Sequence, residues 1–188
     1  MAIVKPFKAI RPAKEFAEAV TSVPAGGGKE ATRKHIKEQP HSYLNVVKPY
    51  LHFDDVEKIP EKHYTFGRTY LENLIQDGVL IREELASYYI YRNIVGSKAY
   101  TGIIASASVD DYKQNKILKH ENTVVQKQKE VAEHISWFTM LAVPVLLTYP
   151  DSDKIEKLIE HYTENHIPEY NFICQDQLKH NVWTVNHA

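Results

Sequence analysis

One polar segment near the middle of the chain combines the residue types needed to take a proton from a hydroxyl beside a bound phosphate. It contains Lys119, His120, Glu121 and Thr123, and Lys127 follows shortly after. Glu121 beside His120 can act as a general base, and the two lysines can stabilise the charge of a phosphate. We expect Thr123 to cap the helix that follows and to take part in phosphate binding. Spacing alone leaves a solvated loop as the alternative interpretation.

A glycine-rich loop lies earlier in the chain, where Gly26, Gly27 and Gly28 precede Lys29 and a polar helix. Backbone amides at such a helix N-terminus can hold an anion, which makes Gly27 and Gly28 candidate phosphate-binding residues. The loop lacks the spacing of a P-loop, because Glu30 follows Lys29 where that motif needs Ser or Thr. A plain flexible loop therefore stays the alternative.

Metal and thiol chemistry are not indicated by the sequence. None of the ten histidines falls in a His-Glu-x-x-His pattern or a comparable ligand spacing, so we predict no metal site. The single cysteine, Cys174, excludes an internal disulfide and a multi-cysteine zinc site. It lies in an apolar, strand-like pattern, which favours a buried structural thiol over a nucleophile.

The elements that must position these residues alternate irregularly between helix and strand, so we expect an α/β or α+β fold, with a mixed sheet and flanking helices in a single domain. The composition, 43% hydrophobic and 25% charged over 188 residues, is that of an ordinary globular protein. The predicted helices are residues 14–20, 29–38, a segment that Pro60 opens and Gly78 closes, 123–139, and 153–165 with a capping box of Asp153 and Glu156. The predicted strands are residues 3–10, 42–47, 88–95 and 100–109 as a hairpin around Gly96, an apolar strand at 143–149 covered on both faces, 170–174 and 181–185.

Charge and hydropathy limit the partners. The formal net charge of −1 predicts no strong attraction to nucleic acid or to an anionic membrane. Basic residues are concentrated in residues 1–48 and acidic ones in residues 151–176, which indicates two solvated faces or a surface for phosphate or for another domain. The sequence begins without an apolar leader, and no apolar run approaches the length of a membrane span, so we expect a cytoplasmic protein.

Several short segments, taken in order, resemble the N-terminal half of the family catalogued as domain of unknown function 1015. These segments are IVKPFKAIRP (3–12), PHSYLNVVKP (40–49), LIQDGVL (74–80), YIYR (89–92), TGI (101–103), SVDDY (108–112), KHENT (119–123) and LTYP (147–150). The resemblance implies that residues 1–188 are the family's N-terminal domain. A second, ParB/sulfiredoxin-like half, marked by Asp-Gly-His-His-Arg, is then absent from this chain, and contacts with that missing domain are expected.

The same resemblance implies a function, because the family is regarded as related to ParB proteins and some relatives resemble kinases of free serine. Glu121 would then be the base for a substrate hydroxyl, with His120, Lys119 and Lys127 next to a phosphate supplied by pyrophosphate or by a nucleotide with Mg²⁺. The chain departs from the family pattern at Pro24-Ala25-Gly26, at Val124 and at Glu130-Val131, where charged groups are lost. We therefore expect part of a small-molecule phosphotransferase that is inactive alone. The alternatives are a ParB-like regulatory or nucleic-acid-binding module and a degenerate structural domain.

Overall fold

The computed structural model describes residues 2–24, 26–53, 60–120, 123–174 and 177–186. The chain divides into two compact units, each built from separated stretches of sequence. Unit 1 comprises Met1–Lys14, Arg82–Lys119 and Leu146–Ala188, and unit 2 comprises Glu15–Ile81 and His120–Val145. Because the stretches interleave, no single cut in the sequence isolates either unit.

Helices and strands occur together in the described residues, which confirms the α/β or α+β class. The helices are α1 Ala17–Thr21, α2 Lys29–Glu38, α3 Leu44–Val47, α4 Pro60–Gln76, α5 Val109–Lys113, α6 Val125–Phe138 and α7 Asp153–Asn165, with 3-10 turns at Lys14–Phe16 and Pro49–His52. The strands are β1 Val4–Lys5, β2 Ile10–Pro12, β3 Leu80–Arg82, β4 Tyr88–Val95, β5 Lys98–Ile104, β6 Ser106–Ala107, β7 Tyr170–Ile173 and β8 Lys179–Val185. Most predicted helices and the β4–β5 hairpin are confirmed within a few residues.

Unit 1 contains a four-stranded sheet with the order β5-β4-β8-β7, and each neighbouring pair in it is antiparallel. The β4–β5 hairpin turns at Gly96, whose φ of 59° is a conformation that glycine adopts at little cost. Strands β1 and β6 form a separate antiparallel pair. Parallel strands need a crossover connection, usually a helix, whereas antiparallel strands do not. The antiparallel pairing of this sheet is therefore typical of the α+β class rather than of α/β.

Helix α7 covers one face of this sheet. Its apolar stripe, which includes Ile159, packs against Ile90 of β4 and Trp183 of β8. The indole Nε1 of Trp183 donates to the carbonyl of His166 at 2.9 Å, so its polar atom is satisfied as well. The predicted capping box of this helix is wrong, because the N-cap is Ser152 and no side chain makes a capping hydrogen bond.

Unit 2 is helical and packs around α4. The buried face of α4 carries His63, Gly67, Leu71 and Leu74. A Cβ at Gly67 would lie 2.9 Å from the ring of Phe138 and 3.1 Å from Pro49. The glycine therefore permits the close approach of α4 to α6.

Two predicted strands are wrong. Residues 42–47 instead contain α3, because Ser42 and Asn45 bond to the local backbone: the Asn45 side chain donates to the carbonyl of Ser42 at 2.9 Å. Residues 143–149 form neither a strand nor a covered segment in the described structure, and Leu146 is 92% exposed. Pro144 within this run lacks the N–H that a central strand must donate.

No helix in the described ranges is long and apolar enough to cross a membrane.

Candidate functional site

The polar segment singled out in the sequence is accessible to solvent where the structure describes it. Lys119, His120, Thr123 and Lys127 are all exposed, whereas Glu121 lies outside the described residues. The ammonium of Lys119 lies 4.9 Å from the ring centroid of Tyr112, a cation–π contact. The prediction that Thr123 caps α6 is wrong, because the N-cap is Val124 and no side chain caps this helix.

The start of this segment is held by Asp111 in the short helix α5. The buried carboxylate of Asp111 accepts hydrogen bonds from the Ile3 amide at 2.7 Å and from the Lys116 ammonium at 2.8 Å. These two donors, Lys116 first, lower the pKa of Asp111. The carbonyl of Asp111 also accepts from the amides of Lys116 and Ile117. Asp111 therefore links residues 116–117, which lead toward Lys119, to Ile3, the residue before β1.

The glycine-rich loop leads into α2, as predicted. Gly28 is the N-cap of the helix with a φ of 98°, and its carbonyl accepts from the amide and the hydroxyl of Thr32. Gly27 and Gly28 are exposed. In the described part of the chain, no hydrogen bond or ion pair joins these glycines to Thr123 or Lys127. The two candidate phosphate-binding features thus lie on different helix ends, with no direct bond between them.

The described residues contain no group of three or more His, Cys, Asp or Glu that could hold a metal ion. This finding concerns sites built from protein ligands alone, because Mg²⁺ that binds together with phosphates needs only one or two carboxylates from the protein.

A charged cluster that the sequence analysis missed lies beside Tyr170, the first residue of the edge strand β7. Arg11 of β2 forms an ion pair with Glu83, and its Nη1 donates to the hydroxyl of Tyr170 at 2.6 Å and contacts Glu169 at 3.4 Å. Burial lowers the pKa of Arg11, but the hydrogen bonds to Glu83 and Tyr170 raise it overall, above its usual range. We call Arg11, Glu83, Glu169 and Tyr170 the Arg11 cluster. Of these four residues, only Arg11 lies in one of the segments on which the family resemblance rests. The other three are far from Arg11 in the sequence, so no local pattern connects them with it.

Tyr89 lies beside the Arg11 cluster, on the sheet face opposite α7. Strand register places Tyr89 directly across from Thr184, and both hydroxyl oxygens are buried without a hydrogen-bond partner in the described structure. The ring of Phe7 packs edge-on against Tyr89 at 5.4 Å between centroids. Burial, and then the charge of Glu83, raise the pKa of Tyr89. The Ala9 amide and the Ser87 hydroxyl oppose this rise, but neither reaches hydrogen-bond geometry with the phenol.

The same face carries a paired tyrosine and histidine. The hydroxyl of Tyr91 lies 2.8 Å from Nδ1 of His180, and the two rings stack at 5.9 Å. Phe172 stacks on the other side of His180 at 5.4 Å. One face of the sheet is thus apolar and covered by α7, while the other is aromatic and polar.

Comparison with known proteins gives one match. No curated protein and no solved structure matches the chain. The sequence profile of a family described as protein of unknown function (DUF1015) matches residues 4–188. That range covers nearly the whole chain and, apart from Ile3, every segment on which the resemblance rests. The chain therefore belongs to the DUF1015 family.

Proposed function

We propose that this chain is part of a phosphotransferase that acts on a small hydroxylated metabolite such as serine, with its chemistry carried by residues 119–127. The observation that supports the proposal best is the exposure of the described residues of this segment, Lys119, His120, Thr123 and Lys127, together with the bonds that hold the preceding residues 116–117 to Asp111. Phosphoryl transfer depends mostly on positioning and on charge stabilisation. Exposed lysines that follow a well-bonded stretch of chain suit both requirements.

Five residues of the segment have a role in this proposal. The substrate hydroxyl oxygen forms a bond to the transferred phosphorus as the bond from phosphorus to the leaving phosphate or nucleoside diphosphate breaks. Glu121 takes the hydroxyl proton. Lys119 and Lys127 offset the negative charge of the phosphates, and His120 and Thr123 supply hydrogen bonds to the same oxygens.

We expect the chain alone to be inactive, because the resemblance implies that most of the phosphate clamp lies in the family's second half, and because Val124 and Val131 carry no charge. The measurement is formation of phosphoserine by ³¹P NMR after incubation with serine, Mg²⁺ and either pyrophosphate or ATP. Turnover by the chain would contradict this expectation. In a longer relative that carries Asp-Gly-His-His-Arg, Glu121→Gln at the equivalent position should abolish activity, and an active variant would remove the proposed base.

Binding of the donor tests the proposal on this chain directly. We expect Lys127→Ala to weaken pyrophosphate binding about threefold, and the double change of Lys119 and Lys127 to weaken it about tenfold, since exposed cations contribute modestly. Titration calorimetry at low salt measures both. Lys129→Ala is the matched control, because Lys129 lies on the same helix and pairs with Glu133 at 4.0 Å. Equal losses in Lys127→Ala and Lys129→Ala would argue against a phosphate site at this segment.

A gel shift separates this proposal from the nucleic-acid alternative. The balanced charge predicts no shift of DNA or RNA even at low salt. A salt-sensitive shift that the double lysine change removes would instead favour the ParB-like module.

A further inference from the structure

We infer that the outer edge of strand β5 is an interface through which two copies of this chain pair, joining their four-stranded sheets into one antiparallel sheet of eight strands. Within the described residues β5 has one neighbouring strand, β4, so its other edge is open. No described residue outside β4 makes a backbone hydrogen bond to β5. The open edge lies within unit 1, and the inference does not depend on the phosphotransfer proposed for residues 119–127.

The two edge strands of the sheet are protected to different degrees. Proteins prevent unwanted pairing at a sheet edge with very short strands, proline, bulges or charged side chains. The edge strand β7 has only four residues, whereas β5 has seven and contains no proline. The register of β5 with β4 runs without a bulge from Lys98 to Ile104. The single charged residue of β5, Lys98, lies at the turn, so the rest of the edge is left open to another strand.

The hairpin geometry shows which backbone groups point outward from β5. Val95 and Lys98 close the two-residue turn at Gly96-Ser97, and the pair that flanks such a turn is hydrogen-bonded. Hydrogen-bonded and non-hydrogen-bonded pairs alternate along an antiparallel ladder. Three exposed residues of β5 therefore direct their amide and carbonyl groups away from β4: Ala99, Thr101 and Ile103. An incoming strand would find three donors and three acceptors along this edge.

The pattern of β5 is complementary to itself, which favours a second copy as the partner. In an antiparallel pair of β5 strands centred on Thr101, Ala99 of each copy lies opposite Ile103 of the other. This register satisfies all the outward amides and carbonyls of both copies at once. It also has the twofold symmetry that most homodimers show. The backbone alone therefore specifies a closed dimer rather than an open chain of copies.

The side chains of β5 fit the same register. Tyr100, which is 59% exposed, would lie opposite Gly102 of the second copy in a non-hydrogen-bonded pair, where side chains are closest. A Cβ at Gly102 would meet no atom within 4 Å, so the space above this glycine is open to a ring. Antiparallel pairing also keeps the two Lys98 ammonium groups about 20 Å apart along the ladder, whereas parallel pairing would bring them together.

Sedimentation and hydrogen exchange test the inference on the unmodified chain. Sedimentation at rising concentration should show a monomer–dimer equilibrium. In exchange followed by NMR, the outward amides of Ala99, Thr101 and Ile103 should exchange about tenfold more slowly in the dimer than in the monomer, because pairing protects them. The amides of Tyr100 and Gly102, which face β4, should be protected in both states. A chain that stays monomeric at millimolar concentration, or a dimer without slower exchange at the three outward amides, would overturn the inference.

Cysteine cross-linking tests the register, in a Cys174→Ser background that removes the native thiol. Thr101→Cys should link two copies under mild oxidation, because directly opposite Cα atoms in a hydrogen-bonded pair are about 5.5 Å apart, within disulfide range. Ala99→Cys is the matched control on the same edge. Its two copies would lie about 14 Å apart along the ladder and should not link. Equal linking of the two variants, or none by Thr101→Cys, would contradict the pairing.

A pair of lysine substitutions compares the two edges of the sheet. Ile103→Lys should weaken the dimer about tenfold, because a charge on the edge opposes strand pairing. Ile173→Lys is the matched control, since Ile103 and Ile173 are both exposed, at 44% and 58%, and Ile173 lies on the opposite edge strand. It should dimerise like the wild type, and thermal unfolding checks that both variants fold. A dimer that Ile173→Lys weakens as much as Ile103→Lys does would place the interface elsewhere and overturn the inference.

Discussion

The two units handle their buried polar groups in opposite ways. In unit 1, charged side chains that are buried or partly buried pair with opposite charges, as Arg11 does with Glu83 and as Asp111 does with Lys116. In unit 2, the buried polar residues of the described chain include no Asp, Glu, Lys or Arg. Nε2 of His35 lies 3.1–3.2 Å from the carbonyl and hydroxyl oxygens of Ser22, for example. Unit 1 is therefore sensitive to the removal of a charge, whereas unit 2 is sensitive to the gain of one.

The contrast is sharpest at the histidines of unit 2. His63 and His134 each bury an Nε2 atom that has no hydrogen-bond partner in the described structure. His134 stacks on Phe138 at 4.2 Å between centroids, and Tyr64 packs edge-on against it. The His134 ring is therefore packed as an apolar group, and a proton added to its Nε2 has no acceptor in the described structure. A chain with many histidines can thus use them for packing rather than for metal binding.

The largest expected effects test whether the apolar cores of the two units are equivalent. Trp183→Ala in unit 1 and Phe138→Ala in unit 2 should each lower the free energy of unfolding by about 3–5 kcal/mol, because each removes a buried aromatic ring. Urea unfolding measures both. Leu146→Ala is the control, since that side chain is exposed and should change stability by less than about 0.5 kcal/mol. If only one of the two aromatic substitutions lowers the free energy of unfolding by less than about 1 kcal/mol, the apolar cores of the two units are not equivalent.

An intermediate effect tests the charge pairing of unit 1. Arg11→Met should lower the free energy of unfolding by about 2 kcal/mol, because it leaves Glu83 partly buried without its donor. The matched control is Arg68→Met in unit 2, where an exposed pair with Glu72 at 3.0 Å should contribute about 0.5 kcal/mol or less. If the two substitutions cost the same, the contrast between the units does not extend to their ion pairs.

The smallest effect tests the neutral histidines of unit 2. Burial lowers the pKa of His134, so the unfolded chain binds more protons than the folded one as pH falls below the ordinary histidine value of about 6.5. Stability from neutral His134 is complete above that value and is lost as pH falls below it. His134→Gln should therefore lose less stability than the wild type between pH 7.5 and 5.5 in urea unfolding.

Burial and the charge of Lys37 also lower the pKa of His52. His52 is present in both the wild type and His134→Gln, so the difference between these two proteins reports on His134 alone. Glu133 and Glu130 act on neighbouring Tyr64 and are also unchanged. His161→Gln, an exposed histidine of unit 1, is the control and should alter the pH dependence less. Parallel pH curves for wild type and His134→Gln would contradict the proposed role of burial.

Much of the local structure could be predicted because its signals lie within a few residues of each other. The bounds of α2 and α7, the start of α4 at Pro60 and the turn at Gly96 agree with the structure. The 143–149 run failed because an apolar composition says nothing about a partner strand, and Pro144 disrupts the ladder. The prediction for residues 42–47 failed because the side chains of Ser42 and Asn45 bond to backbone groups within the run, in competition with a strand ladder.

Residues of the candidate site that are neighbours in the sequence could be identified from the sequence in the same way as the helices and turns. Lys119, His120 and Glu121 stand side by side, and the family resemblance that includes them is confirmed over residues 4–188. Their proposed roles remain predictions, as does the role of Lys127. Asp111 as the anchor of this segment was not foreseen, since its partner Ile3 lies 108 positions away.

The amino-acid sequence thus determined several helix bounds, the turn at Gly96, the net charge and the family membership. Each of these depends on residues that are close in the sequence or on the composition of the whole chain. The tertiary structure alone decided which charges pair. Arg11 meets Glu83 across 72 positions and Glu169 across 158. It also decided which polar atoms are buried without partners, as at Tyr89 and His134. Both outcomes depend on distance and burial in space, because the strength of a charge or hydrogen bond is set by what surrounds it.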